Sequence, residues 1–310
     1  MKMIGLLLSS MHAAAAGTIS IVDGSIGGNG TISATVEVGA GGSLDPGATV
    51  GTLPIAGNLD VSAMANGGSG KLSFGLGTVA GTNDKITVTG TGTLTLGSGK
   101  LGFDDFAFTD LGGVEPGTYT LITSNTIAGS LDATKLSGPI SAFTGTIVIN
   151  GNNIELVIRT PYDAWAYGFL PADVSNPSAN LDADSLTNLQ EYAFGSDPTQ
   201  ATGTITIDGD GNVTNTNGTP IAYLAGLAAT TVDYRAVFSR RKDFSATGLS
   251  YTVEFSTLGS GSPWVASTAK PTVMDISNAE VEVVFVPYLA YIITANGFEK
   301  PRFFRIGVAK

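Results

Sequence analysis

Between residues 180 and 191 the chain sets oxygen-bearing groups at alternate positions: the side chains of Asn180, Asp182 and Asp184, the Leu186 backbone carbonyl, the Asn188 amide and the Glu191 carboxylate. Alternate residues of a tight loop project toward one centre, and a glutamate one helical turn further on can close the shell with two oxygens, which is the spacing of a Ca2+-binding loop. Asn180 stands where an aspartate would add charge. Ser185 stands where glycine normally makes the sharp turn, at a strain of roughly 1 to 3 kcal/mol if its φ is positive. The pattern predicts a weak, structural Ca2+ site suited to calcium-rich extracellular fluid. An acidic loop and helix N-terminus without metal is the alternative reading.

Other chemistry is scarce. The 310 residues include no cysteine and one histidine, His12, which excludes thiolate sites, disulfides and most histidine-based catalysis. Gly97-Ser98-Gly99-Lys100-Leu101-Gly102 matches a dinucleotide fingerprint, but Phe103-Asp104-Asp105-Phe106 after it is not the helix that would hold a pyrophosphate. Adjacent strand residues face opposite ways, so Asp104-Asp105 reads as a solvated loop pair and not as convergent acids. Asp208-Gly209-Asp210-Gly211-Asn212 alternates oxygens but has no closing glutamate, and reads as a hairpin turn. With 15 basic against 26 acidic residues and a net charge of -11, nucleic acid is not an expected ligand. Arg240-Arg241-Lys242, the one basic cluster, reads as an exposed strand end. These missing parts predict a protein that catalyses nothing. A polysaccharide lyase would need a basic residue beside carboxylates in one groove; Lys71, Lys85 or Lys100 beside Asp84, Asp104 or Asp105 would meet that need. Exposed Trp and Tyr leave a glycan-binding module as a further alternative.

The elements that must position the loop are two short helices. Asp163 to Phe169 reads as one, capped by Asp163, and Ser185 to Phe194 as the second, ending at Gly195. Upstream the texture differs: 30 of the 42 glycines fall in residues 1–160. Short alternating runs such as Lys85-Ile86-Thr87-Val88 and Thr93-Leu94-Thr95-Leu96 recur there between glycine-rich corners. They predict a mainly β fold in which residues 17–160 form a parallel β-helix, or solenoid, with Ile86, Val88, Leu94, Leu96, Leu121 and Ile147 pointing inward. A β-sandwich fits the same spacing. Residues 161–200 are then a helix-loop-helix calcium-type linker. Strands from Thr204 to Val308 predict a small antiparallel β-sandwich over 201–310, with Trp264, Tyr234, Tyr251 and Phe304 in its core. Residues 1–16 read either as a signal-like export segment or as the interior of a longer repeat array. No run has the length of a membrane span.

Two stretches resemble known families. Gly41-Gly42-Ser43-Leu44-Asp45-Pro46-Gly47 through Gly51-Thr52-Leu53, with Gly57-Asn58-Leu59-Asp60-Val61, Asn83-Asp84-Lys85-Ile86-Thr87-Val88 and Gly117-Thr118-Tyr119-Thr120-Leu121-Ile122, is similar to the autotransporter-associated (passenger-associated) β-strand repeat. Trp165 and the run from Asn180 to Pro198 resemble the calcium motif of exported planctomycete and verrucomicrobial surface proteins, itself similar to thrombospondin type 3 and dockerin repeats. The resemblances imply an exported bacterial surface, structural or adhesion protein that is extracellular or on the cell surface. Cell-surface polysaccharide or other surface proteins would be its partners. They also imply calcium at Asn180, Asp182, Asp184, Asn188 and Glu191, with Ser185 the departure.

Overall fold

The computed structural model describes residues 6–7, 17–47, 49–64, 68–78, 80–228, 231–256, 263–292 and 303–310. Apart from Leu6–Leu7, which pairs in parallel with Ile26 and Gly27, the signal-like segment, including His12, lies outside the described residues. The chain is mainly β and divides into two compact units, Met1–Pro161 and Tyr162–Lys310.

In the first unit, strand pairing follows the apolar alternation. Ile19, Val36, Leu59, Leu94 and Ile127 are successive in-register partners across parallel strands. Ile26, Leu44, Leu72 and Phe106 form a second such ladder, and Leu53, Ile86 and Ile122 a third. Many of these partners lie roughly 30 residues apart, the interval at which repeat units stack a shared core. Interior members such as Leu59, Leu94, Leu44 and Ile86 are fully buried, whereas Ile26 and the ladder ends Ile19 and Ile127 are only partly covered. Gly97 and Gly129 show why the corners need glycine. Both have positive φ (82° and 99°), and a Cβ on Gly129 would lie 2.2 Å from the Gly97 carbonyl oxygen. Gly97 therefore belongs to a corner of strand Thr93–Leu101 and not to a phosphate loop.

Buried Asp84 ties two separate segments of the chain: its carboxylate accepts the Gly51 and Gly75 N–H groups, each at 2.7 Å. The parallel pattern stops toward the end of this unit. Gly117–Thr123, Asn153–Arg159, Phe143–Asn150 and Ser137–Ile140 pair antiparallel, the middle two through a tight turn with Gly151 at φ 57°. A purely parallel stack is thus not what residues 17–160 form. Asp104 and Asp105 also depart in part from expectation. They lie in a 3-10 turn, Phe103–Asp105: Asp104 is exposed as expected, but Asp105 is buried with its carboxylate accepting the Gly102 N–H at 2.8 Å.

Among the described residues, the second unit carries α1 (Pro161–Tyr167) and α2 (Asn188–Phe194) with three antiparallel sheets. Four strands, Ile221–Ala228, Thr231–Arg241, Val281–Ile292 and Thr272–Asp275, form the largest; Val265–Ala266, Ser250–Ser256 and Phe303–Ala309 form another. Phe238 and Val286 of the first share one buried cluster with Phe255 and Ile306 of the second and with Tyr162, Tyr192 and Phe194 of the helices. The helical segment is therefore part of this core. Tyr234, Tyr251 and Phe304 pack against it, but Trp264 is outside it, half-buried under the Arg305 guanidinium. The basic cluster does end strand Thr231–Arg241, but only Lys242 is exposed, and Arg240 and Arg241 are half-buried. Arg240 pairs with Glu282, Arg241 with Asp243, and the Lys242 ammonium donates to the Ile276 and Asn278 carbonyls. Thr206–Ile207 and Val213–Asn215 form the hairpin expected around Asp208.

Candidate metal centre

Both helices start differently from expectation. Pro161 opens α1, so Asp163 sits in its first turn and is not its cap. Asn188 opens α2, whose N-cap is Thr187: its hydroxyl accepts the Gln190 N–H while the Gln190 side chain accepts the Thr187 N–H at 2.9 Å. Gly195, at φ 73°, ends it in the left-handed conformation. The helix is fixed to the sheets by the Tyr251 hydroxyl, which donates to the Ala193 carbonyl at 2.8 Å, and by the Arg241 guanidinium 4.5 Å above the Tyr192 ring. Glu191 is thereby held fully buried on a rigid element.

Asp182 and Asp184 come from the preceding loop, and one oxygen from each of Asp182, Asp184 and Glu191 lies within 4.8 Å of the others. The loop is internally tied. The Asp184 N–H donates to Asp182 at 3.1 Å, the Leu186 N–H to Asp184 at 2.5 Å, and the Asn180 amide to the Asp184 carbonyl at 2.6 Å. The tight turn falls at Ala183, with φ 61°, and Ser185 is not in the left-handed region, which corrects the expected place of strain.

Thr202, which the spacing did not reveal, closes the cluster from downstream. Its N–H donates to Asp184 at 2.9 Å and its hydroxyl is 3.4 Å from a Glu191 oxygen. Nothing in the local pattern marks it, because it lies beyond the helix that carries Glu191. Asn188 is fully buried, its amide donating to the Asn176 carbonyl at 3.0 Å, and Leu186 buries its side chain. Asn180 is exposed.

Three oxygens of the expected ligand set, on Asp182, Asn188 and Glu191, are buried without a hydrogen-bond partner. Burial pushes the Glu191 carboxyl up to about 7, and the nearby Asp182 and Asp184 charges add to this. Burial acts the same way on Asp184, but the Leu186 and Thr202 N–H groups outweigh it and hold that carboxyl below its ordinary value. An all-oxygen set with orphaned buried acceptors and a carboxyl forced toward its neutral form could hold a hard divalent cation, which would restore charge balance and partners together.

A second charged group occurs in the first unit. Lys71, Lys100 and Lys135 line a groove of about 230 Å³ with Asp104, Asp105 and Asp132. The Lys71 ammonium donates to the Asp104 carbonyl at 2.5 Å, and the Asp132 carboxylate accepts the Thr134 N–H and hydroxyl. Compared with protein-family models, curated proteins and solved structures, the chain has no match.

Proposed function

We propose that the protein is a non-catalytic, exported surface or adhesion protein, in which a largely parallel β-solenoid over residues 17–160 acts as scaffold and a Ca2+ ion stabilises the loop of the second unit. The observation that carries the reading is the convergence of Asp182, Asp184 and Glu191 with buried oxygens that have no partner. Calcium at this loop would take oxygens of these three, with Asn180, the Leu186 carbonyl and Asn188 as further ligands that the loop spacing suggests. The three apolar ladders support the solenoid, since in-register apolar partners on parallel strands roughly 30 residues apart are what stacked repeats would give. Few carboxylates make a weak site, which favours calcium-rich fluid outside the cell. In that setting cell-surface polysaccharide or other surface proteins are the expected partners. The test is thermal unfolding with calcium and with chelator: a rise in melting temperature with calcium supports the reading, and its absence at millimolar ion removes the metal from it.

The groove of Lys71, Lys100 and Lys135 favours one rival reading, cleavage of an acidic polysaccharide, because it sets ammonium groups beside carboxylates. Against it, the Lys71 ammonium and the Asp105 and Asp132 carboxylates already have backbone partners. Incubation with plant and algal polyuronates decides between them: reproducible release of unsaturated oligosaccharides would establish the rival.

A further inference from the structure

A cleft of about 530 Å³ in the second unit lies beside the acidic loop and is lined by Trp165, Phe169, Ser196, Gln200, Asn215 and Glu280 among others. That volume is within the ~300 to 1,000 Å³ usual for small-molecule sites. We propose that it binds a neutral saccharide, and that the loop cation strengthens this binding through Thr202.

The lining sets the ligand's chemistry. Trp165 and Phe169 meet edge to face with centroids 5.0 Å apart, and Tyr162 and Tyr192 brace Trp165 from within the core, so a half-buried aromatic wall is held in place. Such a wall suits the C–H face of a pyranose ring. The polar groups offer acceptors. Gln200 donates its amide to Asp197 at 2.8 Å, which leaves its carbonyl oxygen, whereas Asn215 donates to the Thr204 and Asn217 carbonyls, each at 2.8 Å, and accepts the Asn217 N–H only at 3.5 Å. The Ser196 hydroxyl is buried and has no partner. A ligand rich in hydroxyl donors satisfies these groups.

Charge narrows the choice. Asp197 and Glu280 disfavour an anionic ligand. A cationic one is not called for, because Asp197 already accepts from Thr199 and Gln200, and Glu280 lies 3.8 Å from the Arg241 guanidinium. A neutral sugar fits both conditions.

Thr202 also lines this cleft, and its two hydrogen bonds run to Asp184 and Glu191. A cation on those carboxylates would fix the segment that forms the cleft wall, so saccharide and cation should each tighten the other's binding. This coupling rests on the cation reading; the saccharide site does not.

The protein has two tryptophans, so Trp264→Phe leaves Trp165 as sole indole reporter. Titration of this full-length variant with cello-, xylo-, manno- and laminari-oligosaccharides should give a saturable change in indole emission for at least one of them. Oligogalacturonate should give a weaker one. Gln200→Ala should weaken the response about tenfold, and Ser196→Ala several-fold. Ser196→Ala removes an unpartnered buried hydroxyl, so its melting temperature should hold or rise, which separates lost binding from lost folding. Chelator should weaken binding several-fold. No response to any neutral oligosaccharide at millimolar concentration, a preference for oligogalacturonate, or equal responses from both alanine variants would overturn the site. Saccharide binding indifferent to chelator in protein shown by calorimetry to bind calcium would overturn the coupling alone.

Discussion

The carboxylates of Asp182 and Glu191 approach within 4.8 Å, and each hides one oxygen from solvent with no hydrogen-bond partner. Asp182 reaches this place from a loop tied by its own backbone, Glu191 from a helix locked to the sheets. Two anions brought together by separate elements, with acceptors left over, are costly unless a proton or a cation joins them.

The first prediction concerns the proton. Glu191 is raised from an ordinary 4.5 to about 7, so the folded state binds the extra proton more tightly than the unfolded chain. Between these values metal-free protein should lose stability as pH rises, and above about 7 this contribution stays lost. Calcium needs the ionised carboxylate, so its affinity should fall as pH drops below about 7. Chemical denaturation from pH 4.5 to 8, with calcium and with chelator, checks both slopes.

The second concerns the turn. Ala183 has φ 61° whereas Ser185 is not left-handed, so Ala183→Gly should stabilise the loop by roughly 1 kcal/mol. Ser185→Gly should gain nothing and cost a few tenths through added freedom of the unfolded chain. Melting temperatures of the two variants, compared in chelator, distinguish the positions.

The third concerns the scaffold. Leu94 is fully buried and stands between Leu59 and Ile127 in one ladder. Leu94→Asp would bury a charge with no partner and should prevent folding of the first unit. Loss of its β circular dichroism signal or rapid proteolysis of that unit is the expected outcome; a melting temperature near that of the parent would contradict the ladder.

How much was legible follows from these residues. Lys85-Ile86-Thr87-Val88 is a strand whose alternation and burial agree residue by residue, because one face of a sheet that covers a core must be apolar. Thr126–Leu131 carries no such alternation. It is mostly exposed and owes its conformation to pairing with Thr93–Leu101, which a local pattern cannot express. The three acids were readable because loop and helix put them near one another in sequence. Thr202 was not, since the chain returns to Asp184 only after α2 and the turn beyond it. The turn was misplaced for a different reason. The Ca2+-loop pattern assigns it to position 185, but hydrogen bonds from Asp184 to Asp182 and from Leu186 to Asp184 set the bend at Ala183.

Calorimetric titration of the full-length protein with calcium at pH 8 is the most direct test of the central claim. The parent and Asp208→Asn, altered in a hairpin turn whose carboxylate accepts the Asp210 and Asn212 N–H groups, should both bind one ion, and Glu191→Gln should not. Failure of the parent to bind at millimolar calcium, or loss of binding in Asp208→Asn with retention in Glu191→Gln, would contradict it.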